Sequence, residues 1–192
     1  MKRVLAGLAA AAALATAACT TGTDAVDQSA GAEFRFVAGT GKGETIPPAE
    51  RRLAPGVRGP LVGGGELDTS ELRGKVVVLN FWASWCGPCR VESPILDLVY
   101  SDTRSRGVQF VGVGVKDDER SLQAFTVNQK IGYPSLFDPN GRITLLFRDF
   151  PPRGLPYTIL LDKQERVAAV YLTPLLRQDD IEPVLQRLAA EP

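Results

Sequence analysis

An α/β fold, with one sheet carrying helices on both faces, is the expectation from three features of this 192-residue chain. Short apolar runs suited to strands alternate with stretches of helical periodicity. Glycine- and proline-rich turns separate them. The C-terminal part closes with two strands joined by a tight turn and then a helix. A composition of 44% hydrophobic and 23% charged residues suits one globular domain and excludes a disordered or fibrous chain.

The N-terminus reads as a targeting segment. Met1-Lys2-Arg3 is a basic start, and Val4 to Ala18 is apolar or small without a charge. That run is too short and alanine-rich for a comfortable membrane span. Leu14-Ala15-Thr16-Ala17-Ala18-Cys19 resembles the lipobox of bacterial lipoproteins, although Thr16 stands where that family usually has leucine. The resemblance makes residues 1–18 a lipoprotein signal peptide and Cys19 a lipidation site, anchoring the mature chain to the extracytoplasmic face of a cell membrane. An ordinary signal cut near Ala18 is the alternative, and it would leave a free thiol in an oxidising compartment. Residues 19–33, rich in Thr, Ser, Gly and Ala, form a flexible tether. Residues 34–53 are an N-terminal extension, with a short strand at Phe34-Arg35-Phe36-Val37 and irregular structure over Gly39 to Pro60. The compact domain covers 54–192.

Within it, Val76 to Phe81 is a continuous apolar, β-branched run, as a strand covered on both faces requires. Val91, Ile95, Leu96, Leu98 and Val99 then recur at helical spacing up to Gly107, a stop signal. Val108 to Val115 is a second strand. Asp117-Asp118-Glu119 opens a helix with Leu122, Phe125 and Val127 or Ile131 on one side. Leu136-Phe137 runs into the turn Asp138-Pro139-Asn140-Gly141; Tyr157 to Leu161 and Val167 to Tyr171 are the terminal hairpin; Asp179 to Ala190 is the last helix.

The chemistry is confined by what is missing. With no histidine, Ser-His and Cys-His catalytic pairs, histidine bases and histidine metal sites are excluded. A net charge of zero without a block of like charges gives no footprint for nucleic acid. What remains is Cys86-Gly87-Pro88-Cys89 at a strand-to-helix junction. Unpaired N–H groups and the dipole at a helix start stabilise an anion, which marks Cys86 as the nucleophilic thiolate. One helical turn brings Cys89 within bonding range as the resolving thiol. Gly87 and Pro88 form the active-site turn, where proline costs no hydrogen bond. A zinc site would need two further ligands that the chain does not supply, and a four-residue loop is a poor structural staple. No metal or other cofactor is expected beyond the Cys86–Cys89 pair itself.

Asn80-Phe81-Trp82-Ala83-Ser84-Trp85-Cys86-Gly87-Pro88-Cys89-Arg90 resembles the active-site segment of thioredoxin-fold proteins, and more narrowly of the membrane-tethered TlpA/ResA-like branch. The resemblance covers roughly Ala54 to Glu191. It implies a thioredoxin-like fold with a central mixed sheet, an N-terminal strand extension and a TlpA/ResA-like central insertion over Lys116 to Pro139. It places Pro156, in Gly154-Leu155-Pro156-Tyr157, where the family sets a cis-proline against the disulfide. Leu155 would then pair with an incoming extended peptide. Glu92 occupies the branch's glutamate position, one turn beyond Cys89. Because Asn80 stands where cytoplasmic thioredoxins carry an aspartate, proton traffic would fall to Glu92, its pKa raised by burial. Pro94 fits the family's kinked helix. Trp85 would shield the sulfurs and contact a partner; Trp82 reads as core, and Arg90 and Arg153 as solvated.

The resemblance therefore implies an extracytoplasmic, membrane-tethered thiol-disulfide oxidoreductase acting on protein thiols and disulfides. The Gly-Pro dipeptide is that of reducing thioredoxins, and ResA-like relatives reduce apocytochrome c with electrons from a membrane donor. The alternatives are an oxidant that forms disulfides in exported proteins, a peroxiredoxin-like peroxidase, and a metal-binding lipoprotein. Ala83 disfavours the peroxidase, which normally has Thr or Ser three residues before its cysteine. With Met1 the only methionine, the soft ligands of a copper site are missing.

Overall fold

The structure is a computed structural model that describes residues 43–151, 154–172 and 176–192. The targeting segment with Cys19, the tether, the Phe34 to Val37 strand and Arg153 lie outside the described residues.

Strand β4 (Val76–Trp82) is buried at all seven positions because it lies inside a six-stranded mixed sheet. With β1 (Glu44–Thr45), β5 (Val108–Val115), β6 (Ser135–Asp138), β7 (Tyr157–Leu161) and β8 (Val167–Tyr171), the order is β1-β8-β7-β4-β5-β6. The β4–β5 and β5–β6 pairs are parallel and the remaining pairs antiparallel. The extension contributes the edge strand β1, and Leu53 bridges to Arg166 just beyond it.

Two parallel pairs demand two crossovers of one hand, which put their helices on one side of the sheet. Helix α1 (Gly87–Thr103) supplies Leu96 and Val99, and α3 (Gln178–Ala190) supplies Ile181, Val184, Leu185 and Leu188, to a core with Val76, Val78 and Phe110. Helix α2 (Glu119–Gln129) packs Leu122 and Phe125 against Trp82, on the same face because side chains alternate along β4. That close approach depends on Gly114: a Cβ there would lie 2.6 Å from Leu122 Cδ1. On the opposite face Phe81 meets Phe147 edge-on at 5.6 Å, just after a 3-10 turn at Thr144–Leu146. Among the described residues the three α-helices thus share one face, and the 3-10 turn at Thr144–Leu146 packs on the other. Of the apolar positions expected on α2, Leu122 and Phe125 are buried and Ile131 partly so, whereas Val127 is 69% exposed.

Arg58 to Pro60, at the end of the stretch expected to be irregular, is strand β2 (Arg58–Pro60) and forms a hairpin with β3 (Glu66–Asp68). Gly63, Gly64 and Gly65 turn it with positive φ. The residues between the strands then cover the free edge of β6: Val62 N–H donates to Ser135 O at 2.8 Å.

Candidate active site

Cys86, Cys89 and Leu155 come together at the C-terminal end of β4, with Glu92 one turn further along α1. The strand stops at Trp82 and α1 begins at Gly87, so Cys86 becomes the N-cap, and its sulfur accepts the Cys89 N–H at 3.2 Å. Pro88 sits in the first turn, where its missing N–H is no loss. Cys86 and Cys89 form a disulfide with Cα atoms 5.3 Å apart. The sulfurs are lodged among Trp82, Ala83, Leu122 and Phe125, with Val62, Phe137 and Leu155 at the margin. Cys86 is 4% exposed and Cys89 1%. Trp82 is core, as expected, stacked on Phe125 at 4.6 Å.

The Leu155–Pro156 bond is cis. It immediately precedes β7, whose Tyr157 pairs with Phe81 of β4, and this register sets Leu155 against the disulfide cluster.

Glu92 lies on the buried side of α1, 1% exposed. One oxygen accepts the Leu176 N–H at 2.7 Å and the other the Asn80 amide at 3.3 Å. Asn80 also donates to Thr158 on β7 at 3.0 Å, while its own Oδ1 has no partner. Desolvation dominates: burial raises the Glu92 pKa to about 7, against the smaller opposing pull of the two hydrogen bonds. A carboxyl poised there can exchange a proton at neutral pH.

The loop before Cys86 is held from α2. Ser84 N–H donates to Asp117 Oδ2 at 2.7 Å, and Ser84 O accepts from Arg90 at 2.6 Å. Trp85 is 60% exposed, yet its indole N–H is tied to Lys116 O at 3.1 Å. Arg90, expected to be merely solvated, is exposed but engaged: besides Ser84 it lies 5.8 Å from the Phe125 ring centroid. Sequence reasoning placed Asp117 only at a helix start and missed its contact with a loop 33 residues earlier. It also missed the Leu176 N–H that meets Glu92; neither partner carries a local signal.

A family model described as the AhpC/TSA family matches residues 51–170. Thiol-disulfide oxidoreductase ResA of Geobacillus kaustophilus is 31% identical over 125 residues, 65% of this chain and 70% of that protein. A secreted thiol-disulfide isomerase from Corynebacterium glutamicum superposes with a TM-score of 0.74 at 30% identity, covering 84% of this chain and all of that one. A DsbF homologue from Corynebacterium diphtheriae gives 0.71 at 32% identity, covering 80% and 98%. The chain belongs to the AhpC/TSA family, has the thioredoxin-like fold and is a thiol-disulfide oxidoreductase.

Proposed function

We propose that this AhpC/TSA-family oxidoreductase works outside the cytoplasm, tethered to the membrane through Cys19, as a reductant of disulfides in exported proteins such as apocytochrome c. The observation that carries the reading is the shielded Cys86–Cys89 pair at the start of α1, with Leu155 and cis-Pro156 on one side and a buried, protonatable Glu92 behind. Similarity to proteins named thiol-disulfide oxidoreductase ResA supports the exchange chemistry, and similarity to one called secreted supports the compartment.

In the reduced enzyme the Cys86 thiolate, stabilised by the N–H groups of the first α1 turn, attacks one sulfur of the partner's disulfide. A Cys86–partner disulfide forms and the partner's other sulfur leaves as a thiolate. Cys89, deprotonated through Glu92, then attacks Cys86 Sγ. The Cys86–Cys89 bond closes, the partner's second sulfur leaves, and the partner has gained two electrons from the cysteines, with one proton from Cys89 and one from water. A thiol donor at the membrane returns the electrons by the reverse exchange. Leu155 offers its backbone to the partner peptide, and Trp85 walls the approach. No cofactor beyond the two cysteines takes part.

The test is the reduction potential of Cys86–Cys89 in the purified protein, equilibrated against glutathione or dithiothreitol buffers. A value near or below about −250 mV supports the reductase, while one above about −180 mV assigns the protein to disulfide formation instead.

A further inference from the structure

We propose that Asp117 is a positioning residue for protein partners. From its place just before the N-cap of α2 it fixes the backbone of Ser84, and so presents the adjoining Trp85 as a rigid wall beside Cys86. The inference rests on the exchange function above and extends its site to a second element of the fold.

The Ser84 residue is gripped at both polar groups, its N–H by Asp117 Oδ2 and its carbonyl by Arg90. The second Asp117 oxygen takes the Asp118 N–H at 2.9 Å, so one carboxylate joins the loop to the helix start. Asp117 is not the cap of α2: Asp118 is, accepting Ser121 N–H at 2.9 Å through Oδ1. The Asp117–Ser84 bond therefore does nothing that α2 needs for its own termination. Lys116 supports the same end. It adopts φ 51°, a conformation unfavourable for a side chain with a Cβ, and its carbonyl receives the Trp85 indole N–H.

An exposed tryptophan with its one donor already anchored has lost most of its freedom before a partner arrives. Such an aromatic contributes apolar contact at low entropic cost, and a freely rotating one gives up part of that contribution to ordering. Asp117 exchanges no proton or electron with the sulfurs. It acts through Ser84 and Trp85, and its influence grows with the area the partner lays over Trp85. A large protein disulfide feels it strongly; a small disulfide that touches only Cys86 feels it weakly.

The experiment compares reduced wild type, Asp117→Ala, Asp117→Asn and Asp118→Ala, each as the full chain, in single-turnover oxidation by insulin and by oxidised glutathione. Asp117→Ala should lower kcat/KM for insulin roughly tenfold, the scale of one charge-assisted hydrogen bond, mainly through KM, with less than about a threefold change for glutathione. Asp117→Asn keeps one acceptor and should recover most of the insulin rate. Asp118→Ala removes the α2 cap and should keep the wild-type ratio of the two rates.

Equal losses with both oxidants in Asp117→Ala, no recovery in Asp117→Asn, or the same ratio change in Asp118→Ala would each overturn the inference and leave the exchange function standing. A wild type that reacts with neither oxidant would overturn the function and the inference with it.

Discussion

Two carboxyl groups of this domain are equally buried and opposite in character. Glu92 and Asp162 are each 1% exposed. Asp162, at the turn after β7, accepts the N–H groups of Gln164 and Arg166 on one oxygen. The other oxygen accepts the Arg166 side chain at 2.8 Å and Arg51 at 3.1 Å. Arg51 also grips Glu191 at the chain's C-terminal end, so this pole ties the N-terminal arm, the hairpin turn and α3 together. Glu92 has one N–H and one amide, and among the described residues no cation bonds to it. Burial alone does not decide what a carboxyl does; its partners decide. The pole with two guanidinium groups builds a permanent tie, and the pole without one keeps a proton in play.

The largest effect expected from breaking this contrast is on the tie. Asp162→Ala leaves the nearly buried Arg51 with Glu191 as its one carboxylate partner and orphans two N–H groups, and should cost about 3–5 kcal/mol in urea unfolding of the oxidised protein. Its exchange rate with glutathione should stay at the wild-type level. A loss below about 1 kcal/mol would mean that Asp162 is no stronger a tie than a surface pair.

Next comes the pH dependence of stability. Glu92 ionises near 4.5 in the unfolded chain and near 7 in the folded one. Between those values the folded state holds a proton that the unfolded state has lost. Stability from this group is therefore complete below about pH 4.5 and falls as pH rises to about 7, by roughly 3 kcal/mol in total. Glu92→Gln should remove that slope and be the more stable protein at pH 8. Parallel pH–stability curves for the two proteins would refute the assignment.

A smaller change is expected in exchange itself. In Glu92→Gln, release of the partner from the Cys86 mixed disulfide should slow roughly tenfold and lose its inflection near pH 7, measured by quenched-flow trapping. The smallest sharpens the comparison from the solvent side: Arg58 and Glu66 pair at 3.2 Å with both side chains more than two-thirds exposed, and Glu66→Gln should leave the unfolding midpoint unmoved.

The sequence read most clearly where one residue type repeats without interruption. Strands β5, β7 and β8 begin and end where their apolar runs do, because a doubly covered strand needs no other signal. Cys86 and Cys89 were legible for a related reason, since one helix turn separates them and their spacing is their geometry; Glu92, one turn further, was singled out by the family resemblance. The rest was hidden by distance or by brevity. The Arg51–Glu191 contact spans 140 residues, and Leu176 meets Glu92 across 84. The hairpin of β2 and β3 has three-residue strands with no alternation to read, and β1 has two residues. The single face shared by α1, α2 and α3 follows from crossover hand and from Gly114, a packing relation no local window contains.

The bond from Leu176 to Glu92 has a consequence in time. A polypeptide is made from its N-terminus, so Cys86 and Cys89 are in place well before the amide that receives the Glu92 carboxylate, which follows 84 residues after it. Asn80 likewise waits for Thr158, 78 residues on. A nascent chain thus carries Cys86, Cys89 and Glu92 before either Leu176 or Thr158 exists to complete the buried hydrogen bonds around Glu92 and Asn80.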